Sequence, residues 1–168
     1  MLIETQRLLV RDFTPDDADD LHEILGDEET MKNCESAYDL EKTRKFLEEF
    51  CIAKKGAVAA VLKDSKKVIG YLLFKPWGES VYEIGWIFNK TYWRQGYAYE
   101  ACCALITYGF RALDIHKVVA ETIDAQKSVP LMEKLGMKRE GVQRSQAKDT
   151  LGNWADLYLY GMLQSDVK

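Results

Sequence analysis

Histidine is scarce in this chain: only His22 and His116 occur among 168 residues, with no spacing typical of ligands, so a metal site is not expected. The four cysteines, Cys34, Cys51, Cys102 and Cys103, form no C-x-x-C pair, and the adjacent two fall in a predicted helix, where their side chains diverge. Reduced thiols of a cytoplasmic protein are the simplest reading. No stretch approaches the roughly 18 apolar residues of a membrane span, and Met1 to Arg11 lacks the long apolar run of a signal peptide. An excess of positive charge is missing as well. Lys and Arg number 23 against 27 Asp and Glu, a net charge of -4, which gives no broad attraction to nucleic acid or an anionic membrane. Internal repeats and low-complexity tracts are also lacking.

What is there is ordinary globular composition, 47% hydrophobic and 30% charged, over a length that predicts one domain spanning 1–168. "IETQRLLVRDF" alternates as a first strand. Thr14, Pro15, Asp16 and Asp17 then read as an N-cap, a proline at the first helical position and acids in the first turn of a helix that Gly26 stops. A second helix from about Leu40 places Leu40, Thr43, Phe46, Leu47, Phe50 and Cys51 on one face. The period then changes. "AVAAVL", "KVIGYLLFK" and "VYEIGWIF" are strand-like, separated by turn signals at Asp64 to Lys67 and at Pro76 to Glu79. Helix returns from about Gly96 to Ala112, followed by a buried strand "HKVVAETI", a short helix "SVPLMEKLG" and two strands around Asp149 to Asn153. The predicted order is βααβββαβαββ, an α+β layout with a mixed sheet.

In "VYEIGWIF" the two-residue period puts Tyr82, Ile84, Trp86 and Phe88 on a core-like face and Glu83, Gly85 and Ile87 on the other. Glu83 is either a functional carboxylate or a solvent-facing acid; Gly85 marks either a close backbone approach or a bulge. The next stretch, "TYWRQGYAYEA", feeds a helix. Exposed N–H groups at a helix start favour phosphate, and a glycine at 96 lets backbone approach an anion, although the same pattern serves as a plain connection. Gly96, Ala98 and Ala101 echo a dinucleotide fingerprint, but a meander precedes them, and no Lys followed by Ser or Thr completes a P-loop.

"EIGWIFNKTYWRQGYAYEA" resembles the acyl-coenzyme A motif of the GNAT superfamily of N-acetyltransferases, Q/R-x-x-G-x-G/A at the start of the central helix. Within it, the ribosomal-protein N-acetyltransferase (RimJ/RimL-like) branch is similar through a tryptophan, a glycine-bearing turn and "GYATEA". "IETQRLLVRDFTPDDADDLHEIL" resembles that branch's "ETERLxLRxFxxxDA", and "LMEKLGMKREG" its "LEKLGFxREG". Three separated matches fall in the right order along nearly the whole chain.

The resemblance implies a GNAT-like three-layer α/β/α fold whose mixed, mostly antiparallel sheet is splayed at the acyl-coenzyme A site. It implies an acetyl-coenzyme A-dependent N-acetyltransferase acting on a primary amine, a protein N-terminus or a small molecule, with coenzyme A as product. A non-catalytic acyl-coenzyme A-binding module is the alternative. Pantetheine would pair near Ile87 and Phe88, the pyrophosphate would rest on the N–H groups of Arg94, Gln95, Gly96, Tyr97, Ala98 and Tyr99, and Trp86 and Trp93 would also bind the coenzyme. Glu83 occupies the position of a carboxylate base, and a backbone N–H near Phe88 would polarise the carbonyl. Ser128 matches a serine that protonates the departing thiolate, or is a helix N-cap; Met132 stands where many relatives keep a tyrosine. Arg94 replaces the branch's usual glycine, as a phosphate contact or a surface residue, and the asparagine ahead of Ser128 is missing. The N-terminal helices and final hairpin would wall the acceptor site, bringing Glu28, Glu29, Glu35, Asp39 and Asp156 near it or leaving them merely solvated. Tyr158 and Tyr160 read as sheet core rather than a substrate cage. Homodimers are common in the family.

Overall fold

A computed structural model describes residues 1–167. Eight strands form one sheet: β1 (Leu2–Glu4), β2 (Leu8–Asp12), β3 (Ala57–Leu62), β4 (Val68–Gly78), β5 (Val81–Phe88), β6 (Lys117–Thr122), β7 (Lys138–Lys148) and β8 (Trp154–Leu163). Their spatial order is β1-β2-β3-β4-β5-β6-β8-β7. Helices α1 (Ala18–Leu25), α2 (Glu28–Met31) and α3 (Leu40–Phe46) precede β3, α4 (Tyr97–Ala112) joins β5 to β6, and α5 (Ser128–Lys134) joins β6 to β7. A π-helical stretch, Leu47–Ala53, continues α3.

Local signals set most of these boundaries. Thr14 and Asp17 form a reciprocal cap around Pro15, with the Thr14 N–H donating to the Asp17 carboxylate at 2.8 Å, and Gly26 ends α1. Spacing of three and four residues then buries Leu21, Ile24 and Leu25. Two boundaries differ from expectation. The first strand is a hairpin, because the Thr5 N–H donates to the Leu8 carbonyl at 2.9 Å and turns the chain back. The β4 strand runs through Pro76 to Gly78, with an irregularity in its pairing to β5, so the turn falls at Glu79 and Ser80.

Two apolar layers cover the sheet. Leu21, Ile24 and Leu47 from the N-terminal helices meet Ala59, Val61 and Tyr71 on one face. On the other, Ala101, Leu105 and Met132 from α4 and α5 meet Leu72, Ile84 and Val118. Each large side chain withdrawn from water here stabilises the fold by about 1.5–3 kcal/mol. Tyr160 is 1% exposed, which places it in this core.

The sheet's parallel pair, β5 with β6, opens the site. Pairing covers Val81 with Lys117, Tyr82 with Val118 and Glu83 with Val119, and stops there. Beyond Glu83, β5 stays with β4 while Ala120 to Thr122 stay with β8. The chain therefore splits at Glu83 into a V whose arms carry unpaired backbone edges.

Candidate functional site

A cavity of about 650 Å³ fills this V and runs to the start of α4. Trp86, Ile87 and Phe88 line it from β5, and Trp93, Arg94, Gly96, Tyr97, Ala98 and Tyr99 line it from the loop and first turn of α4. Gly85 also lines it, in unbroken register with Leu73, so it marks no bulge; a Cβ there would press to 3.3 Å from the Leu73 Cβ. Gln95 does not line the cavity. Its side-chain amide donates back to the Thr91 carbonyl at 3.2 Å, bracing the loop from within.

The loop is held by short local bonds. Asn89 accepts from the Thr91 N–H at 3.0 Å, and the Trp93 indole N–H donates to the Phe88 carbonyl at 2.7 Å. Arg94 and Gly96 both take left-handed backbone, with φ of 59° and 82°. Glycine adopts that conformation freely, and an L side chain at about 1 kcal/mol. Gly96 sits at the N-cap of a 16-residue helix whose first N–H groups lack intrahelical partners. Such a start, open to a cavity, has the donors and dipole for a pyrophosphate.

Two carboxylates flank the apex of the V. Glu83 is not a solvated surface acid: its side chain is 14% exposed and lies 3.3 Å from the Lys75 Nζ. Nor does it line the cavity. Glu121, two residues beyond Glu83's partner Val119 and hence on the same face of β6, does line it. Glu121 is exposed at the cavity, so only partial desolvation of its carboxyl, and then the charge of Glu83, raise it above its ordinary range, against a smaller opposing pull from Lys75. Sequence reading missed Glu121 because the signal that marks it, the end of β5–β6 pairing at Glu83, exists only once the strands are aligned.

On α5, Ser128 is the first helical residue and lines the cavity; Lys127 holds the N-cap position and no side chain caps this helix, so the capping role does not apply. Asp124 does the turn's work instead, accepting from the N–H groups of Gln126 and Lys127 at 3.0 Å each. Met132 is 1% exposed within the core and offers no proton. Two cations unforeseen from the sequence also line the cavity: the Lys127 Nζ lies 4.0 Å over the Trp93 ring, and the Lys134 Nζ 4.5 Å over Tyr99.

At the opposite end Glu29, Thr30, Asn33 and Cys34 of the N-terminal helical segment line the cavity, whereas the last hairpin, expected as a second wall, supplies no lining residue and touches that segment through the Thr150 N–H, which donates to the Lys32 carbonyl at 2.9 Å. Of the five expected acids, Glu29 lines the cavity. Asp39 instead caps α3 through the Lys42 N–H at 2.7 Å, Glu35 accepts from the Tyr38 hydroxyl, and Asp156 accepts from the Ser145 N–H at 2.8 Å. Among the described residues no cluster of His, Cys, Asp and Glu is placed to hold a metal ion, and no helix is long and apolar enough to cross a membrane.

Residues 7–138 match the acetyltransferase (GNAT) domain family. The uncharacterized N-acetyltransferase YnaD of Bacillus subtilis (strain 168) is 34% identical over 99% of each chain. Among solved structures, an acetyltransferase (GNAT family) from Bacillus anthracis superposes with a TM-score of 0.90 at 32% identity, covering 98% of this chain and 99% of that one. A ribosomal-protein-S5-alanine acetyltransferase from Vibrio fischeri shares the fold, with a TM-score of 0.83 at 20% identity over 100% of this chain and 99% of its own.

Proposed function

The chain belongs to the acetyltransferase (GNAT) family, and we propose that it transfers the acetyl group of acetyl-coenzyme A to a primary amine by direct attack, through the cavity between β5 and β6. The observation that carries this reading is the splay itself. It leaves the edge of β5 beyond Glu83, where Trp86 and Phe88 turn their backbone groups away from β4, without a strand partner and open to a strand-like pantetheine arm, and it leads straight to the uncapped N–H groups of α4. The Phe88 carbonyl already accepts from Trp93, which keeps the loop at the strand's end.

In this reading, the backbone from Arg94 to Tyr99, Gln95 included, cradles the pyrophosphate. Arg94, Lys127 and Lys134 make that mouth of the cleft cationic, which suits a phosphate-bearing coenzyme. Glu121 gives the cavity an acid that suits an ammonium ion, and Glu29, which also lines it, shares its charge with the Lys90 Nζ at 3.4 Å. An ammonium is not a nucleophile until it loses a proton. The proton acceptor is the Glu83–Glu121 pair, with Glu121 as the member that reaches the cavity and Glu83, ion-paired to Lys75, as the charge that makes it more basic. A backbone N–H at the end of β5 polarises the thioester carbonyl, and the Ser128 hydroxyl, which lines the cavity, returns a proton to the departing thiolate.

A thiol-release assay against N-terminal peptides, polyamines and aminoglycosides tests the proposal. Stoichiometric free thiol with one class of amine is the expected result. Tight coenzyme A binding with no turnover on any amine would instead favour the non-catalytic binding module.

A further inference from the structure

We infer that Arg7 is a positioning residue for coenzyme binding: from the turn between β1 and β2 it aims the backbone of the Trp93–Tyr99 loop into the cleft without touching the coenzyme. The inference rests on the reading of that loop as the pyrophosphate cradle. Arg7 lies outside the cleft, in a shallow groove on the other side of α4's first turn. Its Nη1 donates to the Gln95 carbonyl at 2.9 Å and its Nε to the Glu100 carboxylate at 2.7 Å. The guanidinium stacks 4.1 Å from the Tyr97 ring centre. Glu100 in turn is fixed by the Arg7 N–H at 2.8 Å and the Thr5 hydroxyl at 2.6 Å. Burial opposes the charge on Glu100, but these bonds from Thr5 and Arg7 outweigh it and hold the carboxyl below its ordinary range.

The bond to Gln95 has a directional consequence. A trans peptide is planar, so its C=O and N–H point in opposite directions. Anchoring the Gln95 carbonyl towards Arg7 turns the Gly96 N–H away from Arg7, towards the cleft that Gly96 lines. This peptide joins Gln95 to the left-handed Gly96, one residue after the left-handed Arg94. The guanidinium also packs beneath the glycine: a Cβ at position 96 would stand 3.4 Å from the Arg7 Nη2. Lysine keeps the charge but cannot reach Glu100 and the Gln95 carbonyl with one planar fork.

Calorimetric titration with coenzyme A, and initial rates with an amine that supports turnover, test the inference in Arg7→Ala, Arg7→Lys and Gly96→Val. Arg7→Ala is expected to weaken coenzyme A binding about tenfold and to raise the acetyl-coenzyme A KM in proportion, with kcat at saturation and the amine KM nearly unchanged. Arg7→Lys is expected to restore part of the affinity, and it also carries the test if the alanine variant does not fold. Unchanged coenzyme affinity in a folded Arg7 variant, or a parallel rise in both KM values, overturns the inference. If Gly96→Val loses affinity while Arg7→Ala keeps it, the cradle stands and only the role of Arg7 fails. If neither variant loses affinity, the cradle reading itself is wrong.

Discussion

The Trp93 indole N–H donates to the Phe88 carbonyl over 2.7 Å, tying the last residue of β5 to the loop that starts α4. This bond helps to set the distance between the free strand edge and the helix N-terminus, which pantetheine and pyrophosphate must span together. Trp93→Phe keeps the ring and removes the donor. Loss of one such bond is worth about 1 kcal/mol, so coenzyme A should bind about fivefold more weakly by calorimetry. An unchanged Kd would detach the indole from coenzyme binding.

The two carboxylates make a pH prediction. Glu121 accepts a proton only when ionised, and its carboxyl is raised by partial desolvation and by the charge of Glu83, so activity should fall as pH drops through this raised pKa. Glu83→Gln removes the like charge, lowers the Glu121 pKa and should move the acid limb of the kcat/KM profile to lower pH. Glu121→Gln should cut kcat about a hundredfold. Should Glu83→Gln abolish turnover while Glu121→Gln leaves it intact, the roles of the pair are reversed.

Arg94 holds a left-handed φ of 59° in the place where glycine would be comfortable. Arg94→Ala retains that strain and Arg94→Gly relieves it, yet both remove the cation. If the cation meets a phosphate, both should lose coenzyme affinity by about fivefold at low salt, and the difference from wild type should shrink as salt rises. Equal affinity in all three proteins would make Arg94 a residue of the surface only.

Away from the cleft, Asp17 anchors the start of α1. It is 6% exposed and accepts from both Arg11 terminal nitrogens at 2.8 Å and from the Thr14 N–H at 2.8 Å. Burial would raise its carboxyl, but these partners hold it below the ordinary 3.8. Its folded pKa is depressed, so its stabilising contribution is complete at neutral pH and is lost as pH falls from about 3.8 through the folded value. Asp17→Asn should cost about 2 kcal/mol at pH 7 in denaturant unfolding and flatten the acid limb of stability against pH. A variant as stable as wild type at pH 7 would contradict this.

Much of the frame is written locally. Period two in "VYEIGWIF" put Ile84 and Phe88 in the core, and Gly96 marked the start of α4, because side-chain alternation and helix-end signals act within a few residues. The match to the family motif likewise located the cavity's wall along Trp86 to Phe88, at Trp93 and Arg94 and from Gly96 to Tyr99, though not at Gln95. Tertiary structure decided the rest. The apparent single strand at Ile3 to Phe13 became a hairpin, and its turn brought Arg7 under a loop 88 residues away. Ser128 fell inside α5 rather than at its cap. Glu121, unremarkable in "KVVAET", gained its altered carboxyl because β6 leaves β5 just past Glu83 and faces it across an opening cavity. Strand register and splay are set by the packing of both helical layers on one sheet, so no short window of sequence contains them.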